Sequence, residues 1–138
     1  PQTLTCTPRV HRQRHPYKLS TRSRDDLLAR LRRLVGISTV NPPGENYDAI
    51  TAELTRDLTA LGLRTRRFPI PRPLLRQTLP PAQHAFPRYN VLGQLAAPGA
   101  KKTLHFNAHY DVVPVSGTWR HSSPFSGTVD AGWIYGRG

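Results

Sequence analysis

His109 and Asp111 stand two residues apart at the end of a stretch in which apolar and polar residues alternate, and their types allow metal chemistry. An imidazole can offer zinc one ring nitrogen while a neighbouring carboxylate holds the other ring N–H. That contact fixes the tautomer and raises the basicity of the ligating nitrogen. Along Thr103 to His109, alternation puts Leu104, Phe106 and Ala108 on one face of a strand and His105, Asn107 and His109 on the other. If the chain stays extended, Asp111 shares the side of His109. Open α/β sheets place ligands beyond the carboxyl ends of their strands. Two residues do not complete a zinc site, however, and a surface histidine beside a turn aspartate gives the same His-x-Asp triplet. On the local pattern alone both readings stand.

The remaining histidines are weaker candidates. His105 lies four residues before His109 on the same face, roughly 13 Å away in an extended strand, too far to share a metal. His121 is close in sequence but sits in a loop. His11, His15 and His84 lie among prolines and arginines and read as solvated or partly packed side chains. Cys6 falls in a basic arm with no scaffold around it. As the sole cysteine it cannot form an internal disulfide, which excludes a stapled secreted scaffold.

The elements that must position these residues can be read from periodicity. Leu27, Leu28, Leu31, Leu34 and Val35 form an apolar stripe that predicts a helix from Asp25 to Val35, with Ser23 as N-cap, Asp25 and Asp26 at its positive end and Gly36 as its stop. Pro42, Pro43 and Gly44 make 38–46 a loop. Asn46 can cap a second helix, Tyr47 to Leu61, with the stripe Tyr47, Ile50, Leu54, Leu58 and Leu61 and a stop at Gly62. Leu63 to Phe68 is a candidate edge strand, and the proline-rich stretch 69–87 reads as a long irregular connection. Strand character resumes from Arg88 to Leu95 and is clearest from Thr103 to His109. Thr128 to Tyr135 predicts a final pair of short strands turning at Ala131 and Gly132. The order is that of an opening α/β domain, with a central mixed sheet flanked by helices and its last element cut off.

Composition narrows the classes. The chain has 138 residues, room for one modest domain, and a net charge of +12. Half of that charge lies in the first 24 residues, which carry six basic groups and no acid, and arginine outnumbers lysine 17 to 3 throughout. Residues 1–22 therefore read as a basic, disordered leader ahead of the α/β domain. A nucleic-acid-binding arm is the functional alternative for the leader, but only one aromatic residue, Tyr17, lies among its charges, and the later basic residues are spread rather than striped. No apolar run approaches the ~20 residues that span a bilayer. With no apolar signal core either, the expected location is the cytoplasm. The start at Pro1 and the absence of methionine suggest a fragment or processed piece.

The longer pattern bears on the two readings of His109. His109-Tyr110-Asp111-Val112-Val113-Pro114 is followed by Trp119, by Pro124-Phe125, by Gly132 and by Tyr135-Gly136-Arg137-Gly138. This order resembles the dinuclear-zinc exopeptidase and amidohydrolase family of acetylornithine deacetylase, succinyl-diaminopimelate desuccinylase, aminoacylase and glutamate carboxypeptidase. LVGISTVNPPG at 34–44 resembles the end of that family's first helix and the loop after it, and Asn90-Val91 the pair that opens the strand before the metal strand. The resemblance spans roughly 25–138 and implies that 23–138 is the incomplete N-terminal part of a zinc-peptidase-like catalytic domain. The loop around Asn41-Pro42-Pro43-Gly44 leans toward the acetylornithine deacetylase and desuccinylase branch. Tyr110, His105, Asn107 and the proline-rich stretch depart from the family pattern.

The resemblance implies that His109 is a metal ligand and that Asp111 is the carboxylate of the catalytic site that orients it. It implies two Zn2+ ions per complete site, with Co2+ able to substitute, and hydrolysis of the amide bond of N-acyl amino acids or short peptides. Trp119, Pro124 and Phe125 would shape the neighbouring loop. An aspartate bridging the metals is expected three positions after Gly138, with the general-base glutamate, the other ligands and a small dimerising domain further on. The complete protein is then expected to be a homodimer with no membrane or nucleic-acid partner, and the 138-residue chain alone to be inactive and marginally stable. A non-catalytic scaffold or partner-binding domain of the same fold, or a basic nucleic-acid-binding module, would be the alternatives.

Overall fold

The computed structural model describes residues 21–121 and 123–137. The leader expected over 1–22 lies outside these residues except for Thr21 and Arg22, as do Cys6, His11 and His15. Helix α1 runs from Thr21 to Val35, four residues longer at its start than the stripe predicts. Ser23 is therefore inside the helix rather than capping it, and the first turn holds no acid. Arg32 and Arg33 in the last turn face the negative end of the dipole. At the stop, the N–H of Gly36 donates to the carbonyl of Arg32 at 2.9 Å.

Helix α2 covers Tyr47–Ala60. Asn46 precedes it in the left-handed region at φ 56°, without the expected side-chain cap. Its amide instead donates to the carbonyl of Ser38 at 2.7 Å, closing the loop between the helices. Three ion pairs tie α1 to α2: Arg33 to Glu53 at 2.7 Å, Arg33 to Asp57 at 3.1 Å and Arg30 to Asp57 at 3.5 Å.

After Gly62 the chain forms β1 (Arg64–Pro69), which pairs antiparallel with β2 (Tyr89–Gln94), Arg64 opposite Gln94 and Pro69 opposite Tyr89. Helix α2 packs on this pair. A Cβ at Gly93 would press on Leu58 and Leu63, so the missing side chain is what lets the helix approach. Tyr47 and Ile50 of α2 are buried, as is Leu75.

Leu75 belongs to a segment the sequence reading misjudged. Residues 69–87 are not an irregular connection: they contain helix α3 (Arg72–Thr78) and a 3-10 turn at Pro81–Gln83. Pro73 and Pro81 sit in the first positions of these elements, where a missing N–H breaks no helical bond, so the prolines start helices here rather than forbid them.

A second correction concerns 103–109, the stretch with the clearest alternation, which is not a strand. Among the described residues none offers it a hydrogen-bonded ladder, and Leu104 and Phe106 are 78% and 82% exposed. Alternation defines two faces, but a strand also needs a neighbour for its backbone groups. The expected central mixed sheet is likewise not found among the described residues. The observed mixed α/β arrangement has two separate two-stranded antiparallel sheets, β1–β2 and the hairpin β3 (Thr128–Asp130)–β4 (Trp133–Tyr135). The hairpin turns at Ala131 and Gly132, both with positive φ as a two-residue type I′ turn requires.

Candidate functional site

One short parallel contact builds the neighbourhood of His109. Val40 bridges Val112 across the fold. The N–H of Val112 donates to the carbonyl of Thr39 at 3.1 Å, and the N–H of Asn41 donates to the carbonyl of Val112 at 2.8 Å. The Thr39 hydroxyl, on a buried residue, donates to the carbonyl of Tyr110 at 2.7 Å. The residue before a proline is biased toward extended backbone. Asn41, followed by Pro42, is thus suited to lie alongside residues 110–112.

Tyr110 provides a second anchor. Its hydroxyl donates to the carbonyl of Tyr89 in β2 at 2.7 Å, and its ring meets that of Tyr47 edge-on with centroids 5.0 Å apart. The side chain that departs from the family pattern therefore ties this segment to β2 and to α2. Burial raises the Tyr110 phenol. Burial, and after it the negative charge of Asp111, pushes that of Tyr47 up to about 12, so both phenols are neutral near pH 7.

On this frame His109 and Asp111 come together. Nδ1 of His109 lies 3.1 Å from Oδ1 of Asp111 and 2.9 Å from the Asp111 carbonyl. Both partners are acceptors, so in the neutral ring Nδ1 carries the proton and the lone pair is on Nε2. The ring is 86% exposed, whereas the carboxylate is only 33% exposed. Oδ2 of Asp111 accepts from the Asn41 amide at 2.9 Å. That hydrogen bond is the main cause holding the Asp111 carboxyl below the usual carboxylate value, against the opposing effect of burial and with a further contribution from His109.

The donor set suits one terminal zinc ligand, an imidazole held by a carboxylate with its other nitrogen available. It does not amount to a whole metal site: among the described residues no group of three or more His, Cys, Asp and Glu side chains converges to hold an ion. Beside His109 an open depression of about 220 Å3 is lined by Asn41, Asp111, Val112, Val113 and Arg137. The Tyr135-Gly136-Arg137 run thus reaches the neighbourhood of His109. It is held there by the Arg137 N–H donating to the carbonyl of Pro124 at 2.7 Å and by the guanidinium lying 5.5 Å from the Trp119 ring.

The structure does not bring the other histidines to this place. His121 packs against Tyr135 with centroids 4.3 Å apart and lies 3.8 Å from Asp130, in a different depression. His84 bonds the carbonyl of Leu79 through Nε2 at 2.8 Å, a local structural contact. His105 lies in the exposed, unpaired stretch.

Two residues at the site escaped the sequence reading as participants, Asn41 and Arg88. Nη2 of Arg88 donates to the carbonyl of Pro43 at 2.7 Å, to Oε1 of Gln83 at 2.9 Å and to Oδ1 of Asn41 at 3.4 Å. Nη1 reaches the carbonyl of Gly44 at 3.3 Å, and the guanidinium stacks 4.7 Å from the centroid of Tyr47. The Asn-Pro-Pro-Gly run was the available sign, since a loop rich in carbonyls with no N–H at two positions needs an outside donor.

Comparison with known proteins finds relatives over part of the chain. A stretch of 51 residues is 41% identical to succinyl-diaminopimelate desuccinylase of Cereibacter sphaeroides and 47% identical to that of Paracoccus denitrificans. The match covers 36% of this chain and 13% of each relative, so the chain corresponds to a small part of the enzymes it resembles. No protein-family model and no solved structure gives a significant match. Among the described residues no helix is long and apolar enough to cross a membrane.

Proposed function

We propose that this chain is a ligand-bearing part of a zinc-dependent amide hydrolase of the dinuclear-zinc exopeptidase and amidohydrolase family, acting on N-succinyl or related N-acyl amino acids. The observation that carries the reading is the pairing of His109 with Asp111, which directs the lone pair of the neutral ring to Nε2 within a block that follows the family order. The partial identity to two desuccinylases supports the hydrolase class and favours the succinylated substrates.

In this reading His109 is a terminal ligand to one of two zinc ions, with Co2+ able to replace zinc, and Asp111 holds the ring. Zinc in such a site supplies Lewis-acid polarisation of the scissile carbonyl. The chain's own contribution is to present Nε2 in one tautomer and to keep the orienting carboxylate ionised. The general base, the remaining ligands and the dimerising domain belong to the rest of the whole enzyme, which works as a cytoplasmic homodimer. The 138-residue chain alone turns over no substrate.

The test is hydrolysis of N-succinyl amino acids by the whole enzyme with and without added Zn2+, alongside a His109→Gln variant. Activity that needs the metal and falls by orders of magnitude in the variant is expected. Full turnover without His109, or indifference to metal removal by a chelator, refutes the reading.

A further inference from the structure

The Asn41 amide is flanked by two groups with opposite demands. Oδ2 of Asp111 can only accept, and the Arg88 guanidinium can only donate. Only one orientation of the amide meets both, with Nδ2 toward Asp111 and Oδ1 toward Arg88. Arg88 is itself fixed by the carbonyls of Pro43 and Gly44, by Gln83 and by the face of Tyr47. A guanidinium on β2's leading edge therefore sets an amide, the amide sets a carboxylate, and the carboxylate sets the exposed imidazole.

We propose that Arg88 and Asn41 are positioning residues for His109, acting through Asp111 to hold the proton on Nδ1 and leave Nε2 free for a ligand. The proposal rests on the metal-hydrolase reading for its purpose but not for its geometry, which needs no metal. Without Asn41, Oδ2 loses its amide donor and the carboxylate is held less firmly toward the ring. The carboxylate shares the task of holding the Nδ1 proton with the Asp111 carbonyl, which accepts from Nδ1 at 2.9 Å, and these two acceptors fix the tautomer of a ring that is 86% exposed. Arg88 acts one step further out. Its loss releases the amide to flip and unlatches the carbonyls of the loop 41–44.

The experiment is nitrogen-15 NMR of ring-labelled histidine in the 138-residue chain, at a pH where the imidazoles are neutral. The His109 signals are assigned by their absence in His109→Gln. The unsubstituted chain should show the Nδ1–H tautomer. In Asn41→Leu and in Arg88→Met the ratio of Nδ1–H to Nε2–H should fall about fivefold, the equilibrium weight of one net hydrogen bond, with the Asp111 carbonyl still accepting from Nδ1. Arg76→Met, at an exposed position of α3, should leave it unchanged, and circular dichroism reports whether each variant is folded. If Asn41→Leu is unfolded, Arg88→Met decides, because it leaves the Asn41 side chain in place.

An Nδ1–H ring that persists in folded Arg88→Met and Asn41→Leu overturns the proposal and leaves the hydrolase reading intact. An Nε2–H ring in the unsubstituted chain overturns both, because the His109–Asp111 contact is then not formed. The expected tautomer shift together with metal-independent turnover by the whole enzyme upholds the positioning and refutes the hydrolase reading alone.

Discussion

The amide of Asn41 donates to Oδ2 of Asp111 at 2.9 Å although the two residues are 70 positions apart. This bond holds the Asp111 carboxyl below the ordinary aspartate value more than any other cause does. A carboxyl lowered by folding stabilises the fold fully above its unfolded pKa, about 3.9, and the contribution is lost as pH falls through the lower, folded value. Asn41→Ala should therefore move the Asp111 midpoint upward, read from the carboxyl carbon shift in an NMR pH titration. A midpoint that stays put would mean that the bond does not form in solution.

Gly44 has the most restricted backbone position in this neighbourhood. Its φ is +99°, a region that L side chains rarely adopt, and a Cβ there would overlap the guanidinium of Arg88. Gly44→Ala should cost about 1–3 kcal/mol in backbone strain and should also displace Arg88 from the carbonyls of Pro43 and Gly44. Urea unfolding measures the cost. A loss well below that range would show that the loop relaxes without expense.

Tyr110→Phe removes one hydroxyl and keeps the ring that packs edge-on against Tyr47. The lost bond to the carbonyl of Tyr89 predicts a destabilisation of about 0.5–1.5 kcal/mol by urea unfolding, with secondary structure by circular dichroism unchanged. A neutral substitution would place the connection between residues 110–112 and β2 in the ring contact alone.

What could be read from the sequence divides along a physical line. The helix α2 and the hairpin β3–β4 were legible because each is decided locally, by a 3.6-residue stripe in one case and by Ala131-Gly132 between short apolar runs in the other. The pairing of His109 with Asp111 was legible for the same reason, since only Tyr110 stands between them in the chain. The stretch 103–109 was misread because alternation says which faces a strand would have and nothing about whether a neighbour is present to pair with it. Prolines 73 and 81 misled in the opposite sense, since at the first positions of a helix they are compatible with it. Asn41 as a partner of Asp111, and Arg88 as a partner of Asn41, were out of reach because their convergence depends on where the start of β2 and the loop after α1 meet, a tertiary fact that no local spacing encodes.

That meeting point depends on α1 being held to α2, a contact in which the Glu53 carboxylate makes the shortest of three ion pairs beside the two of Asp57. Arg33 and Arg56 both bond it, and the hydrogen bond from Arg33 is the foremost cause of its lowered pKa. Because folding lowers this pKa, the stabilisation is present above the ordinary glutamate value, about 4.3, and is lost as pH falls through the folded one. The carboxylate is 12% exposed but Arg33 is 43% exposed, so the pair is open to screening by salt. Glu53→Gln should lower the melting temperature at pH 7 and low salt. The gap from the unsubstituted chain should narrow in concentrated sodium chloride and close as the pH falls below the folded Glu53 value. A gap that ignores both pH and salt would assign the α1–α2 contact to packing rather than to charge, and the loop at 38–44 would then be held in place by the apolar surfaces beneath it.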